Sequence, residues 1–317
     1  MRVPQEVPER AALLLQAVAK LGMGVLEPPD RGLQPLMDVH GAAYLAFLQS
    51  AHANWKRMPL DWGDEVISNV YVKHPNALRG VLAQAACYLA DGSCPVGEMT
   101  WRSAYWSAQS ALASADDIMG GSRFSYALCR PPGHHARGEA AGGFCYLNNA
   151  AIAAQALRAA HDRVLILDID MHHGQGIQEI FYERADVCYV SIHGDPTNYY
   201  PVVAGFDDET GAAAGAGFNL NLPLPHGSDE PAFFAKLDTA AQRICAFNPG
   251  AVVLAFGFDI YREDPQAVVD VSSEGFRQIG RCVRALNLPT LIVQEGGYHL
   301  ESLQRNADCF FGGLLDG

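Results

Sequence analysis

Val164-Leu165-Ile166-Leu167 runs straight into Asp168-Ile169-Asp170-Met171-His172-His173-Gly174. In extended backbone alternate side chains share a face, so Asp168, Asp170 and His172 point the same way. Carboxylates crowded in this manner repel one another unless a cation or hydrogen-bond donors offset the charge. A second apolar run, 251–256, leads into Gly257-Phe258-Asp259 and puts another carboxylate at another strand end. Asp170, His172 and Asp259 together offer an O, N, O donor set with two negative charges. That set suits Zn²⁺ with a position left open for water and substrate; Fe²⁺ or Co²⁺ would also be tolerated. Taken alone, an Asp-x-His step reads equally as a helix cap or turn, and Asp259 as a turn residue.

Two further stretches supply what amide hydrolysis needs beside a metal. Arg130-Pro131-Pro132-Gly133 is a stiff loop that ends in the pair His134-His135. One imidazole of such a pair can take the proton from an attacking water and return it to the leaving amine. The other, held as a cation or donor, can stabilise developing charge. Glu295-Gly296-Gly297-Tyr298 follows the run 290–293, where a Gly-Gly pair permits an unusual backbone path. Such a path could present the Tyr298 hydroxyl to a tetrahedral oxyanion. A tyrosine packed on a turn is the plain alternative.

The elements that must carry these residues are legible as texture. Short β-rich runs at 124–129, 164–167, 187–192, 251–256 and 290–293 alternate with helical stretches at 148–160, 230–247 and 273–286. That alternation predicts buried parallel strands in an α/β sheet, doubly wound, with ligands gathered past the carboxyl ends of the strands. Before residue 124 the spacing predicts helices over 8–21, with Pro at its start and Gly22 beyond its end, and over 41–56 and 99–119. Residues 57–80 are rich in turn formers and read as a long excursion.

The chain has 317 residues, 22 Lys+Arg against 35 Asp+Glu and a formal charge of −13. Such a balance argues against a partner that is nucleic acid. No apolar stretch approaches the ~20 residues of a membrane span, and no secretory h-region is visible, so the expectation is a soluble, cytoplasmic protein with no membrane partner. Eight cysteines without a Cys-x-x-Cys read as free thiols of a reducing compartment.

The stretches RPPGHHA (130–136), GGFCYLNNAAIAA (142–154), VLILDIDMHHGQG (164–176), SIHGDP (191–196), FGFDIYREDP (256–265) and EGGY (295–298), in this order, resemble the histone deacetylase and acetylpolyamine amidohydrolase superfamily. SIHGDP and FDIYREDP are most similar to its acetylpolyamine branch. The resemblance implies one α/β/α domain over 1–317 with a mostly parallel sheet of about eight strands, the arginase/deacetylase fold. It implies a zinc hydrolase with Asp170, His172 and Asp259 as ligands, His135 as general base and acid, His134 as its electrostatic partner and Tyr298 polarising the acetyl carbonyl. Asp168 would pair with His134 and Gln175 would sit beside His135, at a position where family members carry Asp or Asn. Gly143, Phe144 and Tyr200 match the walls of the acyl tunnel. Structural K⁺ would lie near Asp168, Asp170, His172, Ser191 and Ile192, with a second K⁺ near Phe181, Arg184 and Val187.

The reaction so implied is hydrolysis of an N-acetyl amide, releasing acetate and a free amine. Acetylpolyamines such as N-acetylputrescine or N8-acetylspermidine are the leading substrates, with a broad acetyl-lysine deacetylase as the alternative. A non-catalytic acyl-amine binder is the alternative from another class. An arginase-like ureohydrolase would need a second metal and a carboxylate where Gly174 stands. The resemblance also expects a strand and rim loop ahead of the 8–21 helix, so that helix's early start suggests a more open mouth. Segment 57–98 corresponds to the family's rim insertion and implies a homodimer. Its acids Asp61, Asp64, Glu65, Asp91 and Glu98 are candidates to meet a cationic substrate, while Arg79 would repel one.

Overall fold

Each of the five β-rich runs becomes a strand; four of them are fully buried, because short runs dominated by apolar residues can be covered on both faces of a sheet by helices, and the fifth, at 124–127, is a partly buried edge strand. In the computed structural model, which describes residues 5–72 and 77–316, the strands are β1 (Phe124–Ala127), β2 (Val164–Asp168), β3 (Val187–Gly194), β4 (Asn219–Leu224), β5 (Ser228–Asp229), β6 (Ala251–Phe256), β7 (Val269–Asp270) and β8 (Thr290–Gln294). The helices are α1 (Pro8–Lys20), α2 (Gln34–Met37), α3 (Ala42–Lys56), α4 (Val81–Tyr88), α5 (Thr100–Met119), α6 (Asn149–Leu157), α7 (Gln175–Phe181), α8 (Glu230–Phe247), α9 (Ser273–Ala285) and α10 (Leu300–Leu315). Residues 73–76 of the 57–98 segment lie outside the described residues.

The main sheet runs β1-β8-β6-β2-β3-β4, with every neighbouring pair parallel. It holds six strands rather than about eight. β5 and β7 are two residues each and pair with one another in a separate ladder. Pro223 and Pro225 remove amide donors around the end of β4, and β4 tolerates Pro223 because it is an edge strand.

Strand direction in sequence explains the layers. From β1 through β2 and β3 to β4 the chain crosses the sheet one way, and α6 and α7 pack on one face. From β4 to β6 to β8 it returns the other way, and right-handed crossovers then put α8 and α9 on the opposite face. Period-two alternation divides each strand between the two cores. Leu165, Leu167, Val252 and Leu254 pack with α8, α9 and α10, whereas Val164, Ile166, Val253 and Ala255 pack with α5 and α6. The reversal of direction falls between β2 and β6, so a crevice opens past their carboxyl ends.

A third apolar cluster joins α3, α4 and α5 to Val66, Leu89, Cys94 and Val96 of the 57–98 segment and to Tyr146 and Leu147. The segment is therefore an excursion with its own core and a helix, α4, inside it. Reciprocal backbone bonds, Ala90 N–H to Ala141 O and Ala141 N–H to Tyr88 O, each 2.8 Å, fasten it to the loop that follows the histidine pair. The structure also places α7, α10 and β4, which the apolar texture does not single out.

His40 lies buried at this junction. Its Nε2 accepts the Asn148 amide at 2.9 Å, and its Nδ1 faces the Arg137 and Gly138 carbonyls at 3.1 and 3.2 Å. Asn148 caps α6 and donates to the Ala136 carbonyl at 2.8 Å. Burial pushes His40 down to about 4 from the 6.5 of a free imidazole. The folded state thus binds the proton less readily than the unfolded chain. Its contribution is present above pH 6.5 and is lost as pH falls towards 4, about 3 kcal/mol in all. Replacing His40 by Gln should flatten the fall in urea midpoint between pH 7.5 and 5; an unchanged slope would exclude His40 as its source.

Candidate active site

The residues singled out in the sequence converge at the carboxyl ends of β2, β6 and β8. Asp170 and His172 leave the end of β2, Asp259 follows β6, and Glu295–Tyr298 follow β8. Asp170, His172 and Asp259 are buried, and one ligand atom from each lies within 4.8 Å of the others. His172 Nδ1 is 3.2 Å from Asp170 Oδ1 and 3.3 Å from Asp259 Oδ2. Backbone amides aim the carboxylates: Gly296 N–H donates to Asp170 Oδ2 at 2.7 Å and Met171 N–H to Asp259 Oδ1 at 3.0 Å. Asp259 Oδ2 is buried without a hydrogen-bond partner, a costly state for a carboxylate oxygen. A divalent cation would satisfy it, so the donor set fits a metal ion.

Electrostatics favour the same reading. Burial and the neighbouring Asp170 push Asp259 up to about 7. Asp170 resists the same burial and is held low, chiefly by His134 and His172. Like-charged carboxylates this close repel unless a cation or hydrogen-bond donors offset them, and a dication would hold both ionised. The outer side of His172 is also occupied: Tyr199 stacks on the ring at 4.9 Å, and its hydroxyl is 2.9 Å from Nε2. That contact leaves Nδ1 to face the carboxylates.

The paired imidazoles lie 3.8 Å apart, centroid to centroid, in opposite surroundings. His134 Nδ1 is 3.1 Å from Asp168 Oδ2, and its Nε2 is 3.6 Å from Asp170 Oδ1. Burial would disfavour its cation, but Asp170 and Asp168 outweigh burial and raise it to about 10. His135 Nδ1 is 2.7 Å from the neutral Gln175 Oε1. Burial, then the charges of His134 and His172, hold it well below the usual imidazole range. One ring is therefore kept as a donor and the other as a base.

Tyr298 and Phe144 stand 5.9 Å apart edge to face, and Tyr200 lies 4.8 Å from the His135 ring. Gly143 and Phe144 both adopt positive φ, 54° and 68°. A Cβ at Gly143 would run into the His135 ring, so this wall can approach the base only as glycine. Of the residues assigned to K⁺, Ser191 pairs in register with Asp168, and Ile192 is buried beside it in β3. The Arg184 guanidinium is bound to Asp186 and Gln155; being a cation without an acceptor, it could not itself hold K⁺.

Several residues that shape the site escaped the sequence reading. Arg10 is buried, and it donates to the Gly297 and Glu295 carbonyls at 2.6 Å each and lies over the Tyr298 ring. The signal was present: Arg10 falls on the stripe of α1 that buries Leu14, Ala17 and Val18, where an arginine needs a partner. Asp264 accepts the amides of Tyr298 and His299 at 2.6 and 2.9 Å. Glu295 Oε2 accepts those of Gly133 and His134 at 2.7 and 3.0 Å, and burial raises its carboxyl to about 8. Of the acids expected at the rim, Asp64 is paired with Lys56 and Asp61 accepts the Gly63 amide, whereas Asp91 reaches inward.

Gly296, like Gly257, has no room for a side chain. Its amide holds Asp170, its carbonyl accepts the Phe258 amide at 3.0 Å, and a Cβ there would strike both carboxylates. Gly296→Ala should leave the circular dichroism spectrum intact while zinc bound after reconstitution drops from near one per chain to near none. Full zinc content in the folded variant would refute this account of the site.

The Histone deacetylase domain family model matches residues 4–314. The chain is 66% identical over 314 residues to an acetylpolyamine amidohydrolase of Burkholderia pseudomallei, an alignment covering 99% of this chain and 92% of that one. It is 43% identical over 312 residues to acetylpolyamine amidohydrolase 1 of Pseudomonas aeruginosa, covering 95% and 89%. A crystal structure of acetylpolyamine aminohydrolase from B. pseudomallei superposes with a TM-score of 0.98 at 66% identity, covering 99% of this chain and 92% of that one.

Proposed function

Because the chain belongs to the histone deacetylase domain family, we propose that it hydrolyses the N-acetyl amide of small acetylpolyamines, releasing acetate and the free amine. It is a hydrolytic deacetylase; N-acetylputrescine and N8-acetylspermidine are the substrates proposed. The observation that carries this reading is the meeting of three metal-ligand side chains with two imidazoles of opposite electrostatic surroundings.

Asp170, His172 and Asp259 would hold the metal, and the O, N, O donor set favours Zn²⁺, with Fe²⁺ or Co²⁺ as substitutes. When bound, the ion supplies Lewis acidity for the acetyl carbonyl and for the attacking water. His135, kept neutral, takes the proton of that water and delivers it to the departing amine. His134, kept charged by Asp168 and Asp170, offsets negative charge as it develops. Tyr298, anchored through its amide to Asp264 and through its ring to Arg10, donates a hydrogen bond from its hydroxyl to the oxyanion and keeps its proton. Gly143, Phe144 and Tyr200 line the acyl chain and exclude water. Structural K⁺ is proposed near Asp168, Asp170, His172, Ser191 and Ile192, and near Phe181, Arg184 and Val187.

Among the described residues no helix is long and apolar enough to cross a membrane, and all eight cysteines are free thiols, which suits the cytoplasmic location we propose. A homodimer through the 57–98 segment is supported by its exposed Leu60, Trp62, Ile67, Val70 and Tyr71, an apolar group of the kind that marks interfaces. Sedimentation should report twice the chain mass, and charged substitutions at Trp62 and Ile67 should return it to one.

With zinc restored, Tyr298→Phe should lower kcat for N-acetylputrescine by roughly 10²–10³ with metal content unchanged. Side-by-side acetate release from N-acetylputrescine, N8-acetylspermidine and an acetyl-lysine peptide should give the higher kcat/KM for the polyamines. A preference for the peptide would make the protein a broad deacetylase, and silence on all three would leave the binder.

A further inference from the structure

Asp91 belongs to the 57–98 segment, yet its carboxylate is turned into the fold. Oδ2 accepts the Tyr200 hydroxyl at 2.7 Å and the Gly143 amide at 3.1 Å, and Oδ1 accepts the Ser93 amide at 2.8 Å and the Ser93 hydroxyl. The Tyr200 oxygen is in turn 3.3 Å from Gln175 Nε2, and Gln175 Oε1 is 2.7 Å from His135 Nδ1. Four side chains thus form one unbroken line from the insertion to the imidazole.

The donor inventory gives that line a direction. An ionised carboxylate only accepts, so the single proton of Tyr200 goes to Asp91. The Tyr200 oxygen is then an acceptor towards Gln175 and selects its NH₂ end. That choice turns the Gln175 carbonyl to His135, where it demands N–H at Nδ1 and leaves Nε2 with its lone pair. A glutamine can turn end for end without changing shape, so it cannot by itself choose a tautomer. An aspartate in its place would accept from Nδ1 unaided.

We propose that Asp91 and Tyr200 are positioning residues for catalysis. Acting through Gln175, they fix His135 in the Nδ1–H tautomer that a general base requires, and so couple the 57–98 segment to the chemical step. The proposal rests on the deacetylase reading above. It also removes Asp91 from the set of free acids that could hold a substrate ammonium.

Tyr200→Phe deletes one oxygen and keeps the ring that lines the tunnel. In zinc enzyme the expected result is a fall in kcat of about tenfold, as the loss of one buried hydrogen bond permits, with KM within twofold. The fall should be equal for cationic N-acetylputrescine and uncharged N-butylacetamide. Gln175→Ala should lower kcat at least as far, and adding Tyr200→Phe to it should cost nothing more, because the hydroxyl acts only through the amide. Multiplying losses in the double variant, or a rise in KM confined to the cationic substrate, would overturn the proposal in favour of a tunnel-wall or charge-recognition role. Asp91→Asn should reproduce the kcat loss without a charge-dependent KM.

A readout independent of turnover is the ¹⁵N spectrum of the histidines in the zinc enzyme. His135 should be a pure Nδ1–H tautomer in the parent and a mixture in Tyr200→Phe. An unchanged tautomer in the variant sinks the relay. An inactive parent that still shows the tautomer change sinks the deacetylase reading and leaves the relay standing.

Discussion

Two buried carboxylates facing one imidazole nitrogen are the constraint from which the rest of the site follows. Asp170 and Asp259 each lie within 3.3 Å of His172 Nδ1, where unpaired charge is expensive. The fold meets that expense in two ways: the backbone amides of Gly296, His172 and Met171 bond both oxygens of Asp170 and Oδ1 of Asp259, and Asp259 Oδ2, which has no hydrogen-bond partner, is left for a cation. This demands that the ends of β2, β6 and β8 approach more closely than side chains allow, hence glycine at 257 and 296, where a Cβ would strike the carboxylates. The sheet order supplies the approach, because β2, β6 and β8 are consecutive in it.

The histidine pair works by contrast. Sequence neighbours with rings 3.8 Å apart would share one environment but for the partners brought from elsewhere. Asp168 and Asp170 come from β2 and its loop, and Gln175 from the first turn of α7. Glu295 reaches across from β8 to hold the amides that carry the pair, and Arg10, from α1, holds the carbonyls on either side of the Gly-Gly step. The rim insertion belongs to the same network, since its backbone is bonded to Ala141 and its Asp91 to Tyr200.

Much of this was legible because it is local. Asp170 and His172 are two apart at the end of an apolar run, and the period of two alone puts them on one face. The five runs became strands within a residue or two of their expected ends, since continuous apolar character has few other uses in a doubly wound sheet. What failed to show was of two kinds. β4, Asn-Leu-Asn-Leu-Pro-Leu, alternates where the other strands run apolar and carries Pro223, and α10 and α7 lie outside the apolar texture that marked the others. The sheet has six strands rather than about eight because β5 and β7 are too short to join it. Asp91 read as one of the rim acids that could meet a cationic substrate, since nothing in Leu-Ala-Asp-Gly-Ser tells which way a loop carboxylate turns.

The sequence by itself therefore determined the chemical inventory: the ligand types, the imidazole pair, the phenol and the strands that end beside them. The tertiary structure decided which partner each group received, and with it each group's protonation and direction. Ligand type is written in single residues and their short spacing. The acidity of His134 and His135, the aim of Asp259 and the orientation of Gln175 depend on charges and donors tens to hundreds of residues away, and only packing brings those within hydrogen-bond reach.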